Sequence, residues 1–281
     1  MIWQTSRRTF DLGERGVIMG ILNVTPDSFS DGGNYIDAET AVAHALQMVE
    51  EGAEIIDVGG ESTRPGAAEV SSDEEIRRVV PVIKILRGKS ETAISIDTSK
   101  AEVARAALEA GAEIINDVTA LTGDPSMAAV AAQSKAGVLL MHMQGTPRSM
   151  QKDPRYEDVV LEVKDYLASR LVAARKAGIE EERIAIDPGI GFGKTPSHNW
   201  ALVRELGVFA QSGRPVLLGV SRKSLLKEMA GDDMSRRDAA TAALTAIGRS
   251  KGVRIFRVHE IAGNLAALRT AEQVGRAVPA R

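Results

Sequence analysis

Eight short apolar segments recur along this chain, and each one ends at a polar or charged residue. A strand buried on both faces of a parallel sheet is a nearly continuous run of Val, Ile and Leu. Amphipathic helical stretches separate the segments, as in repeated strand–helix units. The residues that follow the eight segments are, in order, Asn23, Asp57, Asp97, Asn116, His142, Asp187, Ser221 and His259. Eight such units in about 250 residues predict an α/β fold, the (β/α)8 TIM barrel.

The barrel pattern covers nearly the whole chain. Barrels of this size fold as one unit, so we expect residues 1–281 to form a single domain. No low-complexity segment or interdomain linker interrupts the pattern. The first fifteen residues precede the first strand, and we expect them to form a short hairpin.

Composition excludes several classes of protein. Hydrophobic residues make up 44% of the chain and charged residues 26%, which are ordinary globular values. A net charge of −3 gives no global reason to expect nucleic acid or an anionic membrane as a partner. The chain has no cysteine, which excludes disulfides and thiolate metal sites and fits a reducing compartment. With no apolar signal core in residues 1–15 and no long apolar run, we expect a cytoplasmic protein without a membrane partner.

Polar groups at the carboxyl ends of the strands predict an active site there, because barrel enzymes carry their chemistry at that face. Barrels frequently bind phosphate near the loops after the seventh and eighth strands. Arg257 and His259 end the eighth segment, and Asn23 ends the first, which neighbours the eighth in a closed barrel. These three residues predict a site for a phosphorylated substrate. A polar residue at a strand end can also merely cap the barrel, and that alternative stays open for each of them.

Asp187 leads into a glycine-rich string, DPGIGFGK at residues 187–194. A buried carboxylate can accept two parallel N–H donors, and glycine lets the backbone approach a flat ligand. The pattern therefore predicts recognition of a planar heterocycle with paired donors. The string lacks the spacing of a P-loop. Any metal site here would be rich in oxygen ligands, which favours Mg²⁺.

Two long loops, residues 23–33 and 59–71, follow the first and second strands and are rich in Gly, Pro, Ser and Asp. Loops of this kind at the active face of a barrel are commonly mobile lids.

Several strings in the chain closely resemble the dihydropteroate synthase family of the folate pathway. They occur in the family's order and cover nearly the whole chain. The strings are MGILNVTPDSFSDGG (19–33), DVGGESTRPG (57–66), SIDT (95–98), IND (115–117), MHMQG (141–145), DPGIGFGK (187–194), SRK (221–223) and RVH (257–259).

The resemblance implies condensation of 6-hydroxymethyl-7,8-dihydropterin diphosphate with p-aminobenzoate to give 7,8-dihydropteroate and pyrophosphate. It implies Mg²⁺ as the cofactor, bound by Asn23, and a homodimer as the assembly. The residues it implies for catalysis are Asp97, Lys223, Arg257 and His259. By the same resemblance, Arg257 and His259 hold the diphosphate, and the residues that bind the pterin are Asp97, Asn116, Asp187 and Lys223. The residues implied to close over the substrates or shape the p-aminobenzoate site are Phe29, Thr63, Arg64, Pro65, Phe192 and Ser224.

The chain departs from the family pattern in two places. Glu260 replaces the usual Asp after the RVH string. Leu225 and Leu226 follow Ser224 where an aromatic residue is common. The second departure could alter packing around p-aminobenzoate, but neither removes a charged ligand.

Three other functions are alternatives to dihydropteroate synthesis. A folate-binding methyltransferase barrel shares the pterin-holding architecture but has no use for a diphosphate site. A non-catalytic homologue would bind pterin without turnover, yet every loop residue named above is present. A Schiff-base lyase would use Lys223 as its nucleophile.

Overall fold

The computed structural model of the chain describes residues 1–25, 34–62 and 69–276. Within these ranges, eight parallel strands form a nearly closed barrel surrounded by helices, as the sequence predicts. The barrel strands are β3 (Val17–Asn23), β4 (Ile55–Gly59), β5 (Ala93–Asp97), β6 (Ile114–Asp117), β7 (Gly137–Met141), β8 (Ile184–Asp187), β9 (Leu217–Leu218) and β10 (Ile255–Val258). Strands β1 (Ile2–Gln4) and β2 (Thr9–Asp11) form the predicted antiparallel hairpin.

Helices connect the strands and pack on the outside of the barrel. They are α1 (Asn34–Glu50), α2 (Ser72–Lys89), α3 (Ala101–Ala110), α4 (Met127–Ser134), α5 (Val159–Lys176), α6 (Pro196–Arg204), α7 (Leu206–Ala210), α8 (Lys227–Ala230), α9 (Met234–Ser250) and α10 (Ala262–Arg276). A large apolar cluster fills the space between the outer face of the strands and these helices. No helix in the described part of the chain is long and apolar enough to span a membrane.

The strands follow one another around the barrel in chain order, and β10 pairs with β3. The closure between β8 and β9 is the weakest junction, with one bridge between Ile186 and Val216. The apolar segment at residues 215–220 predicts a full strand, but only Leu217–Leu218 pair as one. Pro215 has no amide hydrogen for the ladder, which shortens the strand at its start.

One apolar cluster fills the interior of the barrel. Every barrel strand contributes at least one residue to it; those residues are Val17, Met19, Ile55, Ala93, Ile114, Leu139, Ala185, Leu217 and Ile255. Side chains two positions apart on a strand face the same side of the sheet. The next inward-facing position of each strand therefore lies above this apolar plug, at the carboxyl end of the barrel.

The N-terminal hairpin closes the opposite end. Trp3, Phe10 and Leu12 belong to the same interior cluster, and the Trp3 ring stacks on Phe10 with 5.7 Å between centroids. The Trp3 indole N–H donates to the Arg183 carbonyl at 3.0 Å. Arg8 of the hairpin pairs with the fully buried carboxylate of Glu113, which precedes β6. Among the described residues, the hairpin therefore covers the amino end of the barrel, which leaves the carboxyl end as the side for ligands.

Four residues that the resemblance implies for substrate binding, Phe29, Thr63, Arg64 and Pro65, lie outside the described residues. Their roles, and the lid behaviour expected of the two long loops, stay predictions.

The hairpin gives a test of the fold. Trp3→Ala removes a fully buried indole and should lower the free energy of unfolding by about 3–5 kcal/mol, the usual cost of such a cavity. Ile2→Ala is the matched control, because Ile2 lies on the same strand and is 41% exposed. Guanidinium unfolding of both variants measures the difference. Equal losses in the two variants would show that the hairpin does not seal the barrel.

Candidate active site at the barrel mouth

The period of two along the strands selects the side chains that face the mouth. On four strands, the residue two positions after an interior apolar residue is polar or charged; these residues are Asp57, Asn116, Asp187 and Arg257. Asp97 follows the same phase on β5, through Ala93 and Ser95. The mouth of the barrel is thus lined by charged groups directly above an apolar core.

Arg257 is the centre of this arrangement. Its Nε donates to Asp57 Oδ2 and its Nη2 donates to Asp97 Oδ2, each at 2.6 Å. Asn116 Nδ2 donates to the same Asp57 oxygen at 3.0 Å. One guanidinium therefore links strands β4, β5 and β10, with Asn116 of β6 joined through Asp57.

Burial and like charges set the ionisation of Asp97. Burial raises its pKa to about 7, with Arg257 acting to lower the value and Asp57 acting to raise it. Burial opposes the charged form of Arg257, but the carboxylates of Asp57 and Asp97 outweigh it and raise the guanidinium pKa above its ordinary value. Arg257 is therefore a fixed positive charge, whereas Asp97 changes its charge near neutral pH.

A second group of side chains lies around the end of β8. Asp187 accepts a hydrogen bond from the Gly189 amide through Oδ1 at 2.7 Å. Its Oδ2 and the Lys223 ammonium both lie beside Gly219, 3.8 and 4.0 Å from the point that a Cβ there would occupy. The missing side chain at Gly219 leaves room for a ligand to contact both groups.

Lys223 is held over the glycine-rich turn. Its Nζ donates to the Ile190 carbonyl and lies 4.4 Å from the centroid of the Phe192 ring. Burial lowers the pKa of Lys223 to about 8, and the Arg257 charge acts in the same direction. The pKa of Asp187 is raised by burial, while the Lys223 charge opposes that shift. Ammonium, ring and carboxylate therefore form one compact polar group.

His259 lies at the end of β10 and contacts Ser221 after β9. Its ring Nδ1 is 3.0 Å from Ser221 Oγ, and its backbone amide donates to the same oxygen at 3.2 Å. Arg222, which follows Ser221 in the chain, has a positive φ of 59°. Its guanidinium makes a two-point ion pair with Asp238 of α9, at 2.7 and 2.8 Å. This conformation lets Ser221 and Lys223 occupy separate parts of the mouth.

Asn23 lies at the end of β3, next to Gly59 of β4 in the register. The Asn23 Oδ1 and Asp97 Oδ2 atoms are each 3.8 Å from the point that a Cβ on Gly59 would occupy. Two oxygen donors thus lie on either side of an open glycine position. No group of three or more acidic, His or Cys side chains among the described residues could hold a metal by itself.

The structure brings most of the sequence-predicted residues to one mouth. Asp97, Asn116 and Arg257 are joined directly or through Asp57. The predicted residues of the second group, Asp187, Phe192 and Lys223, surround the glycine-rich turn. Ser224 follows Lys223 in the chain but is exposed at the start of a 3-10 turn. Their roles in binding and catalysis stay predictions.

Two residues of the site are not among those that the family resemblance implies. Asp57 follows the second apolar segment and contacts both Arg257 and Asn116. The alternation of side chains along β4 indicates that it faces inward. Lys194 ends the glycine-rich string in the sequence and is almost fully buried in the structure. A lysine in a loop gives no sequence signal for burial.

The alternation of inward and outward side chains along the strands also distinguishes structural polar residues from those at the mouth. Asp117 and His142 each lie one position beyond an inward-facing residue, so they belong to the outer face. Asp117 accepts the amide hydrogens of Thr119 and Leu121 and caps a turn. The His142 ring packs edge-on against Tyr166 of α5.

Comparison with known proteins agrees with this geometry. Residues 19–259 match the family model described as pterin binding enzyme. The dihydropteroate synthase of Escherichia coli K12 is 46% identical over 255 residues, which cover 91% of this chain and 90% of that protein. Two solved structures from Xanthomonas albilineans are similar over 99% of this chain. Dihydropteroate synthase with 4-aminobenzoic acid has a TM-score of 0.91 at 43% identity, covering 99% of that chain. The complex with 7,8-dihydropteroate has a TM-score of 0.89 at 40% identity, covering 100% of that chain. The chain belongs to the pterin-binding enzyme family and, within it, to the dihydropteroate synthases.

Proposed function

We propose that this chain catalyses the condensation of 6-hydroxymethyl-7,8-dihydropterin diphosphate with p-aminobenzoate. The products are 7,8-dihydropteroate and pyrophosphate. The observation that carries the proposal is the pairing of two charged groups at one barrel mouth. One is the guanidinium of Arg257 between Asp57 and Asp97, and the other is Asp187 with Lys223 at the glycine-rich turn.

The pterin ring would bind at the second of these groups. The pterin edge carries an amino group next to a ring N–H, and a carboxylate accepts two such parallel donors. Asp187 Oδ1 already accepts the Gly189 amide, so its orientation is set before a ligand arrives. The amide nitrogen of Asn116 donates to Asp57, so the amide oxygen is the atom that Asn116 would offer to a ring donor. Lys223 supplies a positive charge for a ring oxygen or nitrogen.

The reaction breaks the bond between the exocyclic pterin carbon and the diphosphate oxygen, and the electron pair leaves with pyrophosphate. Positive charge then develops on the electron-rich pterin methylene. The aniline nitrogen of p-aminobenzoate attacks this carbon, and the new C–N bond forms as the nitrogen loses one proton. In its carboxylate form, Asp97 would stabilise the developing cation. The carboxylate is oriented in advance by Arg257, which reduces reorganisation during the reaction.

The diphosphate would lie over Asn23, Arg257 and His259, the predicted anion site. Arg257 is more constrained than its sequence position indicates, because Nε and Nη2 already donate to carboxylates. Nη1 takes part in neither of these contacts and is the nitrogen through which it would reach a phosphate oxygen. His259, two residues further along the chain at the end of the same strand, would supply a second donor.

The residues near Asn23 fit a magnesium ion. The Asn23 amide oxygen lies beside the open position at Gly59, and Mg²⁺ prefers such hard oxygen ligands. With so few protein ligands, the remaining positions suit water and diphosphate oxygens, as is usual for Mg²⁺. When bound, the ion would neutralise charge on the leaving pyrophosphate.

A homodimer is part of the proposal. Exposed apolar side chains lie on the last helices and suit a contact between two copies; they are Met229, Met234, Ile247 and Val274. Leu244 and Leu268 of the same helices are buried in the barrel's own core. The cytoplasmic location stays a prediction from the sequence.

The reaction itself is tested by pyrophosphate release. Purified protein with Mg²⁺ and the pterin diphosphate should release pyrophosphate at an enzymatic rate only when p-aminobenzoate is added. A coupled phosphate assay and chromatography of 7,8-dihydropteroate measure the two products. Pterin binding with no p-aminobenzoate-dependent release would instead favour a non-catalytic pterin-binding protein.

Asp187→Asn tests recognition of the pterin. Asparagine keeps one acceptor for the Gly189 amide but turns a donor toward the paired pterin donors. Loss of one charge-assisted contact, worth about 1.5–3 kcal/mol, should weaken pterin affinity by about 10–100-fold. Calorimetry with a pterin measures it. Asp153→Asn is the control, because Asp153 is an exposed carboxylate paired only with exposed Arg155. Unchanged pterin affinity in Asp187→Asn would remove this role.

Asp97→Asn tests how the ionisation of Asp97 changes the free energy of unfolding. The pKa of Asp97 is raised from 3.8 to about 7 in the folded chain, so its folded form retains a proton that the unfolded form has lost. Stability from this group is therefore lost as pH rises from about 4 to about 7. Relative to Asp97→Asn, the wild type should lose free energy of unfolding across that interval and then level off. Urea unfolding at several pH values measures this difference.

Activity should fall in the same variant. Asp97→Asn removes the carboxylate that stabilises the cationic methylene, so we expect a large loss of kcat. A stability difference independent of pH would contradict the assigned ionisation of Asp97.

A further inference from the structure

Lys194 is a buried lysine that the proposed reaction does not use. Only 2% of the residue is exposed, although it ends a loop at the active face. Its hydrogen-bond partners are not carboxylates. Nζ donates to the carbonyls of Gly189 and Phe192, each at 2.9 Å, and lies 2.9 Å from His142 Nδ1. A buried cation with these partners calls for a physical reason.

Acceptors are available for every donor of this group. An ammonium has three N–H donors, three acceptors lie 2.9 Å from Nζ, and the His142 carbonyl oxygen lies further away at 3.4 Å. His142 Nδ1 must then be unprotonated to accept. Burial, together with the Lys194 charge, lowers the pKa of His142 to about 3, so its ring is neutral at physiological pH. Burial lowers the pKa of Lys194 to about 7, which still leaves the ammonium form populated at neutral pH.

The two carbonyls belong to the turn at residues 189–193. Gly189, Gly191 and Gly193 have positive φ angles of 68°, 87° and 62°. A Cβ on Gly189 would lie 1.8 Å from the His142 carbonyl oxygen, and one on Gly193 would lie 2.4 Å from that of Gln144. The turn therefore lies directly against the loop after β7. Its conformation points two carbonyls at a single buried ammonium.

The other side of this turn faces the barrel mouth. The Gly189 amide donates to Asp187, and the Ile190 carbonyl accepts from Lys223. The Phe192 ring lies under the Lys223 ammonium. One five-residue turn thus contacts Lys194 on one side and Asp187 and Lys223 on the other, and it carries Phe192 itself.

We propose that Lys194 is a positioning residue, whose ammonium holds the turn at residues 189–193 so that Asp187, Phe192 and Lys223 are oriented for the pterin and p-aminobenzoate. The proposal rests on the proposed function for the identity of the ligands. Lys194 acts through the turn and touches no substrate. Without the Lys194 ammonium, the Gly189 and Phe192 carbonyls lose their common partner, and the turn is held by its remaining contacts, such as that of the Gly191 amide with Asn199.

Lys194→Met is the main test, because methionine has a similar length and no N–H donor. We expect kcat/KM to fall by about 100-fold, the scale of a small misplacement at an active site. The fall should include a higher KM for both substrates and a weaker affinity for the pterin alone in calorimetry. A residue that only stabilises the fold would lower the amount of active enzyme, which reduces apparent kcat and leaves KM unchanged.

Tyr156→Phe is the matched control. The Tyr156 hydroxyl donates to the Gly193 carbonyl at 2.8 Å, so this variant removes one neutral hydrogen bond from the same turn. It should keep both KM values close to those of the wild type. If Lys194→Met does not fold, Lys194→Gln replaces it, since its amide keeps two N–H donors. That variant should give intermediate KM values.

Folded Lys194→Met or Lys194→Gln with wild-type KM values and wild-type pterin affinity would overturn the proposal. An equal rise of KM in Tyr156→Phe would also overturn it, because any loosening of the turn would then suffice. Failure of the proposed function is distinguishable, since the wild type would then release no pyrophosphate with p-aminobenzoate. The pterin calorimetry would still compare Lys194→Met with the wild type.

Discussion

The closed barrel imposes one constraint on every strand, and the site follows from it. Inward and outward side chains alternate, so a strand that places an apolar residue in the interior places its next inward residue nearer the rim. Ile55 and Asp57 on β4, and Ile255 and Arg257 on β10, show the pattern. The apolar layer excludes water from below. The polar layer above it is therefore held at the border between a low-dielectric core and solvent.

That border accounts for the electrostatics of the mouth. Charges that lose water there are costly unless they are paired, and one guanidinium serves two carboxylates. The pairing is incomplete, because Asp57 Oδ1 is buried with no hydrogen-bond partner among the described residues. Burial raises the pKa of Asp97, and the nearby charge of Asp57 adds to that shift. In its charged form Asp97 supplies negative charge where the proposed reaction develops a cation, and burial makes that charged form costly.

The sequence alone was sufficient for the architecture, because the strand pattern and the barrel's alternation are local properties of the chain. It also indicated which residues reach the mouth, since Asp97, Asn116, Asp187 and Arg257 all follow the strand phase. It could not indicate partners across the barrel. The contact between Arg257 and Asp57 joins residues 200 positions apart, and no local pattern encodes it.

Two further differences have the same origin. The short β9 depends on how Pro215 and its neighbours meet two adjacent strands, which the apolar run at 215–220 does not reveal. The burial of Lys194 depends on where the loop after β7 lies. From the sequence alone a lysine is expected on the surface, because most lysines in folded proteins are exposed. Tertiary contacts, rather than local preference, decide both cases.

The hairpin at the closed end has a consequence for synthesis on the ribosome. Trp3 is made early, but the carbonyl that its indole contacts belongs to Arg183, 180 residues later. At about 5–20 residues per second, the indole precedes its partner by on the order of ten seconds or more. During that interval one of the chain's two tryptophans has no completed barrel to enter. Until β8 emerges, the nascent chain therefore carries an aromatic side chain without its partner. Folding factors that bind such segments have that interval in which to act.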